Sequence, residues 1–120
     1  MPTHEPVRLS VLRAFVGDDE DATRAILRNF STHSLDVAAQ MRAACAAGEL
    51  AAASDAAHKL KTAACTIGAS ALAELCAEME HLCAIGDSAA VAERLELFNR
   101  EEALVVAFLG RREGRLNCAK

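Results

Sequence analysis

The sequence predicts an all-α protein: an antiparallel, up-and-down four-helix bundle with a short additional N-terminal helix. Three observations favour this fold class. Alanine is abundant and tryptophan and tyrosine are absent, so no segment has the composition of a strand. Both prolines lie within the first six residues. Apolar residues recur at helical spacing in four long segments, whose connections are short enough to make consecutive helices antiparallel neighbours.

The predicted helices follow one another along nearly the whole chain. A short helix at about 8–16 is expected to cover one end of the bundle through Leu9, Leu12 and Phe15. The long helices are predicted at about 19–46, 49–66, 69–84 and 88–109. Gly48, Gly68 and Gly86 fall just where three of them must end, and glycine is the usual residue of a left-handed C-cap.

The length of 120 residues is that of one ordinary domain with a single core. We therefore expect one domain, residues 1–120, with its core at about 8–110. The apolar pattern is lost over 111–120, which is predicted to be a frayed tail.

Composition excludes several classes of function. The net charge of −4 without a basic cluster disfavours nucleic acid as a partner, and no apolar run approaches the roughly 20 residues of a membrane span. The five cysteines are odd in number and lack a CxxC motif, which is typical of small buried side chains in a reducing compartment. A cytoplasmic, monomeric protein is expected.

One histidine stands apart from the core pattern. The stripe of apolar residues on the helix at 49–66 includes Ala53, Ala57 and Leu60, and His58 lies about 130° around the helix from its centre. His58 should therefore face water or a partner. His33, by contrast, shares the core-facing side of the preceding helix and is expected to be partly buried and hydrogen-bonded, or to lie at the end of the bundle.

The surroundings of His58 suit phosphoryl transfer. Ser54, Thr62 and Cys65 are its small helical neighbours, so a second protein could approach the ring closely. A neutral imidazole nitrogen is a nucleophile near physiological pH, and Lys61 is within reach to balance phosphoryl charge. The chain has no GxxxxGK[ST] or GxGxxG motif, so the phosphoryl group should come from another protein and not from ATP.

The segment Ala57-His58-Lys59-Leu60-Lys61-Thr62-Ala63, followed by Gly68-Ala69 and a leucine-rich helix, resembles a family motif. The family is that of the histidine-containing phosphotransfer (HPt) domains of multistep two-component signalling. The similarity is greatest to those at the C-termini of hybrid sensor histidine kinases. It extends over about residues 9 to 109.

The resemblance implies a role for each residue of the motif. His58 would be phosphorylated, Lys61 would stabilise the phosphoryl charge, and Gly68 would end the histidine helix. The partner would be a receiver domain of a response regulator or hybrid kinase, which itself holds the Mg²⁺. No cofactor or metal is expected on this chain, which would be a phosphocarrier and not an enzyme.

The docking surface is expected near His58 on the second and third long helices, with Ser54, Lys59, Thr62 and Cys65 contacting the partner. Many family members carry glycine at the position of Thr62. The extra bulk of Thr62 is predicted to slow transfer or narrow the range of receivers.

Two other interpretations stay open. Asp55-x-x-His58 and Glu78-x-x-His81 are each an acid three residues before a histidine, the arrangement that di-iron bundles use in pairs. The outward position of His58 and the lack of an inward acid at 19–46 disfavour such a metal site. A helical adaptor that binds receivers without carrying phosphate is the second alternative, but it would have no need of His58 and Lys61.

Overall fold

A computed structural model describes residues 5–118 of the chain, and the side chains of 5–114. The described residues form five helices and no strands: α1 Leu9–Val16, α2 Glu20–Ala47, α3 Leu50–Thr66, α4 Ser70–Ile85 and α5 Ser88–Cys118. The predicted all-α bundle with an additional N-terminal helix is confirmed. No helix in this part of the chain is both long and apolar enough to cross a membrane.

Apart from the end of α5, the helix ends lie close to their predicted positions, and local caps fix several of them. Asp19 Oδ1 accepts a hydrogen bond from the amide of Ala22 at the start of α2, and Asp87 Oδ1 does the same for Ala90 in α5. Gly48 ends α2 in the left-handed conformation, as predicted.

Helix α3 is the centre of the packing. It contacts α2 on one side and, most extensively, α4 on the other, while α5 packs on α4 and less closely on α2. The core side chains come from the predicted apolar stripes, with one large, fully buried residue on each of four helices: Met41, Leu60, Met79 and Phe98. Because α5 lies diagonally opposite α3, the outer face of α3 stays open.

The N-terminal segment is attached to the turn between α3 and α4. The amide of Arg8 donates a hydrogen bond to the carbonyl oxygen of Gly68 over 3.0 Å, and Val7 and Leu12 are buried. Phe15 does not cover the end of the bundle as predicted, because it lies on the outer side of α1 and is 75% exposed. The helix is therefore held by Val7, Leu12 and its backbone contact with Gly68.

The last helix does not end near Leu109 but continues to Cys118. The prediction of a frayed tail from residue 111 is thus wrong for the first residues of that tail. Arg112 is buried and forms an ion pair with Glu20, and Glu113 forms one with Arg28. In this part of α5, ion pairs with α2 take the place of apolar contacts. The helix was expected to end near Leu109 because the apolar pattern stops there.

Replacing Gly68 by alanine should destabilise the fold more than any other glycine-to-alanine change at a helix end. Gly68 has φ +74°, and a Cβ there would lie 2.3 Å from the carbonyl oxygen of Arg8. The clash adds to the cost of the left-handed conformation, so we expect a loss of about 3 kcal/mol or more in the free energy of unfolding. Urea denaturation followed by circular dichroism measures it.

Gly48→Ala is the matched control, because Gly48 has φ +73° and nothing within 4 Å of the added Cβ. It should cost only the backbone strain, about 1–2 kcal/mol. Equal losses for the two variants would show that the contact with Arg8 does not constrain Gly68.

Candidate functional site

His58 projects from the outer face of α3, as predicted. Ala53, Ala57 and Leu60 are buried on the opposite face, and the His58 side chain is 63% exposed. The same helical periodicity that buries the alanines therefore turns the imidazole towards solvent.

A glutamate that the sequence analysis did not single out completes the site. Glu80 reaches across from α4 and places Oε2 3.2 Å from His58 Nδ1 and Oε1 2.7 Å from Lys61 Nζ. Its side chain is 24% exposed, so the carboxylate lies mostly within the groove between the helices. One carboxylate thus brings together the two residues that were predicted to act on phosphate.

This contact selects the tautomer of the neutral imidazole. An ionised carboxylate only accepts hydrogen bonds, so the neutral ring of His58 carries its proton on Nδ1, and this N–H donates a hydrogen bond to Glu80. The lone pair of a neutral ring is then on Nε2, on the opposite edge from Glu80. The structure leaves that nucleophilic nitrogen facing away from the carboxylate.

The charge of Glu80 is itself stabilised by its neighbours. The hydrogen-bonded Lys61 ammonium holds the pKa of Glu80 below its ordinary value of 4.5; partial burial opposes this effect and the hydrogen bond with His58 adds to it. Glu80 is therefore a carboxylate throughout the physiological range, and Lys61 is engaged in an ion pair while His58 is unmodified.

The predicted docking residues differ in how far their side chains are exposed to solvent. Lys59, Thr62 and Cys65 are exposed, whereas Ser54 is half-buried beside the α3 stripe. The hydroxyl of Thr62 donates to the carbonyl oxygen of His58 over 3.2 Å. Because this bond turns the hydroxyl towards the helix backbone, we expect a partner to meet mainly the methyl group of Thr62.

The residues proposed for a dimetal site are not brought together. Glu78 pairs with Arg94 of α5 over 2.6 Å, Asp55 is exposed on α3, and His58 contacts Glu80. Among the residues that the structure describes, no three His, Cys, Asp or Glu side chains form a group able to hold a metal ion. The alternative of a carboxylate-bridged metal bundle has no support from the geometry.

Of the other histidines and cysteines that the structure describes, two cysteines lie in the core and both histidines lie on the surface. Cys76 and Cys83 are buried core residues, and burial, with a smaller contribution from Glu80, raises the pKa of the Cys76 thiol to about 12. His81 is on the surface. His33 is also exposed and not partly buried, because it lies at the edge of the α2 stripe, where a groove separates α2 from α3.

Comparison with known protein families identifies the class to which this helical bundle belongs. The family model described as the Hpt domain matches residues 25–109, which is most of the chain. The protein therefore belongs to the Hpt domain family. Members of this family carry phosphoryl groups in phosphorelays and pass them to receiver domains; they are not kinases or ATPases.

The chain is also similar to a solved structure, the histidine-containing phosphotransfer protein B (HptB) of Pseudomonas aeruginosa PAO1. The TM-score is 0.85 at 26% sequence identity, and the alignment covers 94% of this chain and 98% of that one. No curated protein matches the chain closely enough to add to the assignment.

Replacing Lys61 by methionine should raise the pKa of Glu80, because it removes the main cause of the lowering. A carboxyl group whose pKa is lower in the folded state stabilises the fold above its unfolded pKa, and that contribution is lost as pH falls through the folded value. Lys61→Met should therefore make unfolding less sensitive to acid below about pH 5. A ¹³C NMR titration of the Glu80 carboxyl carbon measures the shift directly.

Arg94→Met provides the control. It removes the ion-pair partner of Glu78, which lies on α4 like Glu80, and it leaves the contacts of Glu80 in place. Its Glu80 titration should match that of the wild type. An unchanged Glu80 titration in Lys61→Met would contradict the ion pair.

Proposed function

We propose that His58 accepts a phosphoryl group from the aspartyl phosphate of one receiver domain and passes it to the aspartate of another. The observation that carries this proposal is the exposed ring of His58, held through Nδ1 so that Nε2 is free, at the position of the histidine in the family motif.

The transfer needs no group that the chain and its partner do not supply. The lone pair of Nε2 attacks phosphorus, and the bond between phosphorus and the aspartyl oxygen breaks, its electrons staying on the aspartate. The Nδ1 proton stays on the ring, which becomes cationic while Glu80 accepts its hydrogen bond. The reverse sequence returns the phosphoryl group to an aspartate. The Mg²⁺ of the reaction belongs to the receiver, and this chain contributes no cofactor.

Lys61 would stabilise the phosphoryl oxygens on the modified ring. It is three residues beyond His58 on α3, and its ammonium already contacts the carboxylate that holds the ring. Once His58 carries the phosphoryl group, Lys61 would be shared between that group and Glu80. Catalysis of this kind is positioning and charge stabilisation, and it needs no substrate pocket.

The proposed carrier acts as a monomer in the cytoplasm, either alone or as the C-terminal domain of a hybrid sensor kinase. Its partners are receiver domains, with no contact to nucleic acid or membrane. Ser54, Lys59, Thr62 and Cys65 lie around His58 on α3, and this placement supports their role at the docking surface.

Labelling experiments test the assignment of His58. A receiver domain carrying ³²P should transfer label to the wild-type chain, and His58→Gln should abolish the transfer while leaving the fold intact, because the exposed ring makes no core contact. His81→Gln is the matched control, since His81 is also an exposed helical histidine, and it should accept label at the wild-type rate.

Label that persists on His58→Gln would refute the assignment. Receivers that bind the wild type without ever labelling it would instead favour the helical adaptor.

Thr62 is predicted to slow transfer through its methyl group. Thr62→Gly and Thr62→Ser both remove the methyl, so each should accept label a few-fold faster, or from more receivers, than the wild type. Thr62→Val keeps the volume and loses only the hydroxyl bond to the His58 carbonyl, so it should remain slow. Equal rates for all four proteins across a panel of receivers would rule out a steric role for Thr62.

A further inference from the structure

The face formed by α2 and α5 lies on the opposite side of the bundle from the candidate site. Helix α3 packs between α2 and α4, and α5 packs between α4 and α2, so the α2–α5 face is opposite the α3–α4 face that carries His58 and Glu80. Helix α5 packs less closely on α2 than on α4, and a groove of about 400 Å³ lies between α2 and α5. Its apolar lining comes from Leu27, Val106 and Leu109.

Two ion pairs cross the α2–α5 face and show which residues of the two helices lie level with each other. Arg28 pairs with Glu113 near one end of the face. Arg42 pairs with Glu102 over 3.0 Å near the other end. The two arginines are 14 residues apart on α2, or about 21 Å along the helix. In both pairs α2 supplies the cation and α5 supplies the anion.

The middle of this face is apolar and open to solvent. Leu35 is midway between the two arginines on α2, and Val106 lies between the two glutamates on α5; their exposed fractions are 47% and 42%. Ala39, one turn beyond Leu35, and Ala103, one turn before Val106, are also exposed. An apolar centre with charged residues at its margin is the usual composition of a protein interface.

The signs of the charges favour a second copy of this chain as the occupant. A two-fold axis parallel to the helices would place α2 of one copy over α5 of the other, antiparallel and at the same height. Arg28 of each copy would then face Glu113 of the other. Arg42 would face Glu102 in the same way. The face is thus complementary to itself in charge, with apolar residues meeting apolar residues between the two charged ends.

The area of the face is sufficient for a dimer. Helix α2 has 28 residues and is therefore about 42 Å long. Two adjacent helices, each about 10 Å across, give the face a width of about 20 Å. Their product is about 800 Å² per copy, which is the size of a standard interface. Because large apolar side chains are few on this face, we expect the association to be reversible.

We propose that two copies of this chain associate reversibly through their α2–α5 faces, with Leu35 and Val106 at the centre of the contact. Transfer at His58 needs one chain only, so the monomer acts as a carrier by itself and the association is independent of the proposed function. In the dimer the two α3–α4 faces point away from each other, which leaves both His58 rings open to receivers.

Sedimentation equilibrium of the whole chain from about 10 μM to about 1 mM measures the association directly. The wild type should change from monomer towards dimer across this range. Leu35→Glu and Val106→Glu each add one carboxylate per copy, and so two carboxylates at the centre of the dimer. Each variant should therefore raise the dimer Kd at least about tenfold. Circular dichroism establishes that each variant is folded.

Leu104→Glu is the matched control for both variants. Leu104 also lies on α5 and is 46% exposed, which is close to the value for Leu35. It is two residues from Val106 and therefore about 160° away around the helix, outside the α2–α5 face. Leu104→Glu should leave the dimer Kd unchanged.

Two charge reversals test the orientation of the copies. Arg28→Glu and Glu113→Arg should each bring like charges together in the dimer and weaken it. In a mixture, the acidic face of the first variant meets the basic face of the second, so an equimolar mixture should associate more tightly than either variant alone. A mixture that associates no more tightly would overturn the pairing of α2 with α5.

Other outcomes would also overturn the proposal. A wild type that remains monomeric at about 1 mM is one, and a dimer that Leu35→Glu and Val106→Glu leave intact is another. A monomeric wild type whose binding to a receiver domain is weakened by Leu35→Glu would identify the receiver as the occupant instead. None of these results bears on the labelling of His58, which His58→Gln tests separately.

Discussion

The close packing of α3 against α4 is the constraint on which the site depends. Small residues make it possible: Ala53, Ala57 and Ala64 of α3 and Cys76 of α4 are fully buried. Small side chains at a helix contact let the two axes approach, so that a side chain on one helix spans the groove to the other. Glu80 can then contact both His58 and Lys61. The alanine-rich composition that makes the chain a helix former is thus also what assembles the site.

The shared carboxylate explains how an exposed histidine can be well oriented. A side chain that is 63% exposed has few packing contacts to fix its ring, and the hydrogen bond from Nδ1 to Glu80 supplies that orientation instead. Lys61 in turn keeps Glu80 ionised, as the lowered pKa of the carboxyl group indicates. The three residues act as one unit, so the effect of removing any of them includes a change in the other two.

Helical periodicity and glycine positions were enough to predict the fold and the exposure of His58, because both depend on spacing along one helix. Glu80 could not be found in this way: its role depends on the contact of two helices, and an acid on an exposed helix flank is otherwise unremarkable. Phe15 and Arg112 were misplaced for a related reason. Phe15 was placed by its apolar character and Arg112 by the end of the apolar pattern, whereas nothing in the described chain covers Phe15 and Arg112 is buried in an ion pair with Glu20.

The arrangement of the two flanks of His58 bears on how a carrier can serve different partners. On the proposed function, the charged side chains of Lys61 and Glu80 on the α4 flank must be retained. Glu80 selects the tautomer of the His58 ring, and Lys61 contacts the phosphoryl group. The α2 flank, where Ile26 and Ala63 lie, takes no part in the ion pair and hydrogen bond that join His58, Lys61 and Glu80. Substitutions there would alter the fit to a receiver and leave the reacting nitrogen in position. Thr62 lies one helical turn beyond His58 on α3 and is bonded to its backbone carbonyl, so on the proposed function its size would affect how closely a receiver approaches. Partner range would then be determined mainly by Thr62 and the α2 flank, and the capacity for transfer by α3 and α4.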